Sequence, residues 1–388
     1  MNKVPKLRFK EFSEEWEEKR LGEVSEIIMG QSPSSSKYNE NFNGLPLIQG
    51  NADCKNRKVF PRIYTTEITK ESFPNDIIMT VRAPVGAISL SNIHSCIGRG
   101  VCAIRNASNF IYHYLIKLED SWDKLAQGST FTAVNSNNIK NLKINLPLLQ
   151  EQEKIADFLS SVDKKISIIE EKLDLFKDYK KGIMQKIFKQ ELRFKDSNGN
   201  DYPEWEEKRL GNICYYFNGG SLESYVVNNG KYNLITLNSI SIEGNLKKEH
   251  KTVNINKNLL NKYDLVMVLS DVAHGNFLGL TAIIPEDNMF VLNQRMGGLK
   301  IKYDENVYYL RYYINSNQFY FKLHGQGSSQ LNLSKKDIED FIVKLPCLEE
   351  QQKIADFLSS IDNKIDNLAA ELENLKEFKK GLLQQMFV

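Results

Sequence analysis

No CxxC pair occurs in the 388 residues, and the five cysteines, Cys54, Cys96, Cys102, Cys214 and Cys347, stand apart from one another and from any histidine cluster. Zinc sites and disulfide frameworks need closely spaced ligands or paired thiols, so neither is indicated and reduced, cytosolic thiols are expected. The five histidines, His94, His113, His250, His274 and His324, also stand singly, so each is read as an ordinary core or surface residue rather than a ligand or base. No apolar run is long enough to cross a bilayer, and the opening MNKVPKLRFKEF lacks the apolar core of a signal peptide. A cytoplasmic protein without a membrane partner is expected. Neither charge sign dominates, with 51 Lys and Arg against 49 Asp and Glu. A net charge of +2 does not announce nucleic acid, although a balanced total can hide a basic face.

Catalytic signatures are missing too. There is no Walker A sequence, no glycine fingerprint following a strand, and no NPPY or DPPY tetrapeptide. The PEWEEK segment at 203–208 has a fragment of nuclease-like acidity, but its twin at 14–19 occupies the same framework position, so both are read as a charged, solvated face around a buried Trp. No catalytic residue, metal site or cofactor of the chain's own is expected.

What is present is a duplication. LPLLQEQEKIADFLSSVDKKI begins at Leu146 and LPCLEEQQKIADFLSSIDNKI at Leu345. From Ile155 the apolar positions step by four and three through Leu159, Val162, Ile166, Ile169, Leu173 and Phe176. The second copy, 199 residues on, runs Ile354, Leu358, Ile361, Ile365, Leu368, Leu372 and Leu375. Even a polar interruption recurs, at Lys180 and Lys379. Such 4,3 spacing marks a coiled-coil seam, and two matched seams in one chain bury each other most simply as an intramolecular pair. The alternative is that each seam packs as an amphipathic helix on its own domain.

The repeat covers the whole chain. LRFKEFSEEWEEKRLGEV at Leu7 reappears as LRFKDSNGNDYPEWEEKRLGNI at Leu192, so the period means duplicated domains rather than a solenoid. Between these bookends lie short runs punctuated by Gly, Pro, Ser and Asn, read as strands at 45–49, 76–81, 86–90 and 101–105, matched by 232–237, 265–269, 280–285 and 296–301. An amphipathic helix is expected at 111–125 and 307–323, then a glycine loop at 127–130 and 326–329. Pro147 and Pro346 separate each module from its long helix. The expected class is α+β, with two tandem α/β domains and two long helices forming an antiparallel coiled coil with pseudo-twofold symmetry. The domains are 1–147, helix 148–190, 191–346 and helix 347–388.

Framework segments nearly coincide between the copies, whereas the module interiors have drifted almost beyond alignment. One geometry is kept while two surfaces are built for different things. Carried on through Ile183 to Ile187, the first seam spans roughly 48 Å at 1.5 Å per residue, on the order of one to one and a half turns of duplex. Two dissimilar reading heads on such a spacer suit a bipartite, asymmetric DNA target.

The doubled Leu-Pro-x-Leu pattern, the EEWEEKRLG and PEWEEKRLG segments and the GQSPS stretch from Gly30 resemble the specificity (S) subunits of type I restriction-modification systems, and the likeness covers essentially every residue. The resemblance implies that each module is a target recognition domain reading half of a split double-stranded DNA sequence. It implies two modification subunits that carry S-adenosylmethionine and methylate adenine at N6, and restriction subunits using ATP and Mg, with this chain non-catalytic. A protein-binding scaffold with two gripping modules is the alternative function.

DNA contacts are expected from loops bearing amides, hydroxyls and arginines, because phosphates take cationic or N–H donors and base edges take Arg, Asn and Gln. The first-module candidates are Gln31, Ser34, Ser35, Lys37, Tyr38, Gln49, Asn51, Arg82, Arg99, Ser129 and Thr130; the second-module candidates are Ser221, Ser224, Tyr225, Asn238, Ser239, Arg295, Ser328 and Ser329. Each could instead be a turn or cap residue satisfied locally. Arg99 and Arg295 fall at comparable points after a strand, fitting either a shared phosphate anchor or a buried carboxylate pair. The helix faces carrying Lys164, Lys165, Glu170, Lys177, Lys180 and Lys181, and Asn363, Lys364, Glu371, Lys376, Lys379 and Lys380, are read as solvated surfaces that could receive partners. Gly182 and Gly381, inside helical sequence, imply close approach of another backbone or the onset of fraying.

Overall fold

A computed structural model of the chain describes residues 4–127, 134–272 and 275–388, with only the backbone of 120 and 123–127 considered. The chain divides into two compact units, one of residues up to 173 together with 368–388, the other of residues 174–367. These units cut across the long helices. Each takes one module, part of one helix and part of the other.

The first module is organised around Ile77–Thr80, which pairs antiparallel with Val101–Arg105 on one side and Ile88–Leu90 on the other. Glu26–Met29 continues the sheet beyond Val101–Arg105. A second sheet sets Leu45–Ile48 parallel to Ser95–Ile97. The second module repeats the plan with Leu265–Val268 between Met296–Ile301 and Thr281–Ile283, and with Tyr232–Ile235 parallel to Phe290–Leu292. The expected strands are therefore present, 101–105 and 296–301 to the residue and the other six shortened by one to three residues. The helix following the sheet runs Asn109–Gln127 in the first module. In the second, the single helix expected over 307–323 is two, Val307–Ser316 and Gln318–His324. Asn317 divides them: its side-chain amide turns back onto the Tyr313 carbonyl at 2.7 Å, a local bond that competes with helix continuation.

Each module closes on itself before its long helix begins. Glu17–Arg20 pairs antiparallel with Lys143–Leu146, and Glu206–Arg209 with Ile342–Leu345. Proline follows, and the helices Leu149–Phe188 and Leu348–Met386 start two residues later. The Gln of the repeated motif folds back there, Gln152 Nε2 donating to the Pro147 carbonyl at 2.9 Å and Gln351 Nε2 to that of Pro346 at 3.0 Å. The neighbouring Glu151 and Glu350 are buried, and each is met by an arginine from the opening segment of its unit. Arg8 reaches both Glu151 oxygens at 2.7 Å, and Arg193 reaches those of Glu350 at 3.2 and 2.8 Å. Charged, bidentate bonds of this kind compensate a desolvated carboxylate that would otherwise cost several kcal/mol. The repeated LRF and LPxLxEQ segments are thus two halves of one lock.

The seam packs on both possible partners. In the first unit Ile155, Leu159, Val162 and Ile166 share a core with Leu382, Leu383 and Met386 of the other helix, and also with Trp16, Phe110 and Leu115 of the module. In the second unit Ile354, Leu358 and Ile361 meet Phe176, Ile183 and Ile187 together with Tyr309, Tyr313 and Phe341. Helix against helix and helix against module are therefore one core in each unit. Ion pairs Asp163 with Lys379 and Glu170 with Lys376 show the two helices running antiparallel in the first unit.

The lysines that interrupt the seam have matched answers. Lys379 donates to Asp163 in the first unit, and Lys180 Nζ lies 2.5 Å from Asp362 Oδ1 in the second. Both lysines are therefore drawn into the helix pair, Lys379 being only 7% exposed, and do not belong to a solvated docking face as the charge pattern implied. The carboxylates also meet matched module residues. His113, fully buried, has Nδ1 3.8 Å from Asp163 Oδ2 and Nε2 3.2 Å from Ser160 Oγ. Tyr312, 199 residues on, donates to Asp362 at 2.6 Å and lies 3.3 Å from Ser359 Oγ. A polar pair inside an apolar seam penalises every sliding of one helix past the other, which fixes register.

Gly182 and Gly381 do not behave as expected. Both helices continue past them, and a Cβ built at either would meet nothing within 4 Å. Among the described residues no backbone presses on them. Gly182→Ala and Gly381→Ala should therefore each stabilise the chain by about 1 kcal/mol in urea unfolding; a loss of stability would reveal an approach that the structure does not contain.

Burial, reinforced by the Lys379 and Arg57 charges, pushes His113 down to about 3, so the folded chain holds it neutral. The unfolded chain binds that proton near pH 6.5. Stability tied to neutral His113 is thus full above pH 6.5 and is lost as pH falls toward 3, by about 1.4 kcal/mol per pH unit. Between pH 6.5 and 5 the wild type should lose about 2 kcal/mol more than His113→Tyr, which copies the second unit's residue. Parallel stability curves for the two proteins would show that His113 is not held neutral.

Candidate nucleic-acid interface

The expected contact residues of the first module come from four segments that hydrogen bonds bring to one edge. Leaving strand Glu26–Met29, Gly30 N–H donates to the Val101 carbonyl at 3.0 Å and Gln31 N–H to that of Ile97 at 2.9 Å. The three-residue loop 98–100 is thereby held beneath 30–34, and only glycine fits at 30, where a Cβ would lie 2.1 Å from the Gly98 carbonyl oxygen. Gly98 N–H donates to the Ile48 carbonyl, which ties the loop to the 49–53 turn, and Val81 N–H donates to that of Gly100. Gln31, Ser34, Ser35, Lys37, Asn51, Arg82 and Arg99 are exposed on this edge, with Tyr38 and Gln49 half-buried. The Tyr38 hydroxyl is committed to the Pro33 carbonyl at 3.1 Å. Ser129 and Thr130 lie outside the described residues.

The second module builds its edge at the same backbone positions. Gly219 N–H donates to the Met296 carbonyl at 2.9 Å and Gly220 N–H to that of Leu292 at 3.0 Å. Asn293 N–H donates to the Ile235 carbonyl, and Leu269 N–H to that of Arg295. Ser221, Ser224, Tyr225, Asn238 and Arg295 are exposed here. Ser328 and Ser329 are exposed at the turn before Gln330–Asn332, a strand pairing with Ser270–Val272. Gly327, at φ 125°, makes that turn possible.

Arg99 and Arg295 are comparable but not equivalent. Arg99 is the second residue of loop 98–100, whereas Arg295 is the third of loop 293–295 and answers to Gly100 by its hydrogen bond. Among the described residues neither guanidinium pairs with a carboxylate. Arg99 instead bonds Ser32 Oγ, through its N–H at 3.1 Å and Nε at 3.4 Å. The buried-pair alternative is not what these arginines do.

Ser239 requires correction. It is 3% exposed, and its hydroxyl accepts the Thr236 N–H at 3.0 Å, so it closes the 236–239 turn from inside instead of facing a base. Its counterpart in the first module is Asp53, which the sequence reading missed. Asp53 is buried, accepts the Gln49 N–H at 2.7 Å and the Gly50 N–H at 3.2 Å, and holds Arg62 Nε at 2.9 Å. Asn293 was missed likewise: its Oδ1 accepts the Gln294 N–H at 2.9 Å and its Nδ2 donates to Glu223 at 2.8 Å. A turn-forming Asn-x-Asp or Asn-Ser following a strand was the available signal in both turns. Asp53→Ala and Ser239→Ala should each cost about 1 to 3 kcal/mol in thermal unfolding, because buried N–H groups lose their acceptor. A Ser239→Ala chain of unchanged stability would remove the internal role assigned here.

Other chemistry finds little support at these edges. Burial pushes the Cys102 and Cys214 thiols up to about 12, so both are neutral core residues. Among the described residues no group of three or more His, Cys, Asp or Glu could hold a metal ion, and no helix is long and apolar enough to cross a membrane.

Comparison with known proteins agrees with this geometry. The family described as Type I restriction modification DNA specificity domain matches twice, over residues 13–176 and 202–377. The putative type I restriction enzyme MjaX specificity subunit of Methanocaldococcus jannaschii is 35% identical over 48% of this chain, but the match spans only 45% of that subunit's length. The MjaVIII specificity subunit of the same organism is 28% identical over 70% of this chain and 67% of its own. The EcoBI specificity subunit of Escherichia coli is 22% identical over 93% of this chain and 84% of its own. Among solved structures, the type I S subunit from M. genitalium superposes with a TM-score of 0.65 at 17% identity, covering 99% of both chains. A chain from a study of complex assembly and conformational transition of the type I R-M system gives 0.55 at 19% identity, covering 96% of this chain and 97% of its own. At such identities these two structures speak to fold alone.

Proposed function

The chain belongs to the type I restriction-modification DNA specificity family, and from that premise we propose that each of its modules reads one half of a split double-stranded target through the edge described above. The observation that carries this reading is the pairing of constant scaffold with divergent rim. Gly30 and Gly219 make the same backbone bond, yet the residues that follow are Gln31-Ser-Pro-Ser in one copy and Gly220-Ser-Leu-Glu in the other. Amides, hydroxyls and an arginine on loops held by a rigid sheet can exchange base preference without disturbing the fold.

In this proposal the chain supplies recognition and no chemistry. Adenine methylation would belong to two modification subunits carrying S-adenosylmethionine, and cleavage to restriction subunits using ATP and Mg, all working in the cytoplasm. A scaffold that grips polypeptides instead of DNA is the competing reading; the arginines free of carboxylate partners at both edges favour DNA, since phosphate and base edges are what such guanidinium groups bind.

Replacing residues 23–145 by the module of another family member should change one half of the methylated sequence and leave the other intact, as read by sequencing methylated adenines in cells expressing the whole system. A change in both halves, or in neither, would refute the division of labour.

A further inference from the structure

The first unit contains a groove of about 1100 Å3 between its module and its helix pair, and Asn51 alone of its lining residues belongs to the expected base contacts. Among the described residues, seven lysine and arginine side chains line it against three carboxylates. Each carboxylate is already committed: Glu119 to Arg57 at 2.6 Å, Glu170 to Lys376 at 2.7 Å, and Asp163 to Lys379. Lys58, Lys164 and Lys380 remain exposed and without an ion-pair partner among the described residues. They stand on three different elements, the Lys58–Val59 strand and the two long helices, so no single element's charge pattern accounts for their convergence.

Concave surfaces lined by one sign of charge concentrate the field, and the surplus here is positive. The groove is open to solvent along its length and has room for an extended polyanion. Position selects among polyanions. Asn51 lines the groove and also belongs to the 49–53 turn of the base-reading edge, from which the chain passes directly into the 54–59 hairpin bearing Lys58. The groove is therefore continuous with that edge.

We propose that this groove holds the phosphate backbone of the duplex next to the half-site read by the first module, with Lys58, Lys164 and Lys380 as sequence-independent phosphate contacts. The proposal rests on the DNA-reading function above and adds to it a site that does not discriminate bases. Such contacts strengthen binding to every sequence equally, and each adds about one to the slope of log affinity against log salt.

The test uses the full chain assembled with its modification subunits, a 30-bp duplex of random sequence, and a selection from a random-sequence pool. The combined Lys58→Gln, Lys164→Gln, Lys380→Gln chain should lower the salt slope on the random duplex by about 2 to 3, weaken all duplexes alike, and still enrich the same split sequence as wild type. Lys→Arg at the three positions should restore the slope, which separates charge from folding. An unchanged slope with the split sequence still enriched overturns the groove and leaves the reading function standing. Loss of modification-subunit assembly with an unchanged slope also overturns it, in favour of an acidic protein segment as occupant. A wild-type complex that enriches no sequence would sink the reading function, while the slope difference would still decide the groove.

Discussion

A carboxylate buried in the first turn of each long helix is the constraint on which both units depend. Glu151 and Glu350 are 1% and 0% exposed, a position that is tolerable only while Arg8 and Arg193 meet them with two hydrogen bonds each. Because the arginines come from the segment that precedes the module, the pair ties together the beginning of a unit, the strand that ends its module and the helix that leaves it. The Gln that follows each glutamate bonds back to the proline carbonyl and sets the direction of departure. A repeated motif that reads as a string of letters is, in three dimensions, a set of complementary groups around one buried charge.

From that lock the remaining features follow in order. The helices leave each module with their apolar seam already part of the module core, so helix pairing and module folding are one event energetically. The seam is interrupted once per copy by a lysine, and the aspartate that answers it also takes a polar side chain of the module, His113 in one case and Tyr312 in the other. The position has changed chemistry between the copies: Tyr312 donates to its aspartate, whereas His113 stands 3.8 Å from Asp163 and bonds Ser160 instead. At the candidate edge of each module the same logic runs in reverse. Backbone bonds between Gly30 and Val101, and between Gly219 and Met296, hold the geometry, so it does not depend on the identity of most outward side chains. Between the two copies the support is repeated and the rim is not.

Much of this was legible in the letters. Period, register and the two classes of segment followed from spacing, because a helical seam and a duplicated motif are local regularities that do not need a partner to be seen. Four strands of each module were legible for the same reason, as short β-branched runs bounded by turn formers, whereas Glu26–Met29, Ser95–Ile97 and Phe290–Leu292 were not read. The candidate edge was legible as a set: residues scattered from Gln31 to Arg99, and from Ser221 to Arg295, do come together. Their individual roles were not. Ser239 and Asn238 are adjacent and chemically alike as turn residues, yet one is sealed inside the turn and the other faces out.

The sequence by itself determined the duplication, the element types, the seam and the family, all of which depend on the order of residues along a few turns or strands. Tertiary structure decided which polar groups are inside and what they meet. Asp53 and Ser239 became internal caps, Lys180 and Lys379 became register pins, and Lys58, Lys164 and Lys380 converged from three elements into one groove. The physical reason is that a charge or hydroxyl acquires its role from the groups within a few ångströms: for Lys180 and Lys379 these come from more than a hundred positions away, and for Asp53 and Ser239 from a turn whose inside and outside only the folded module defines.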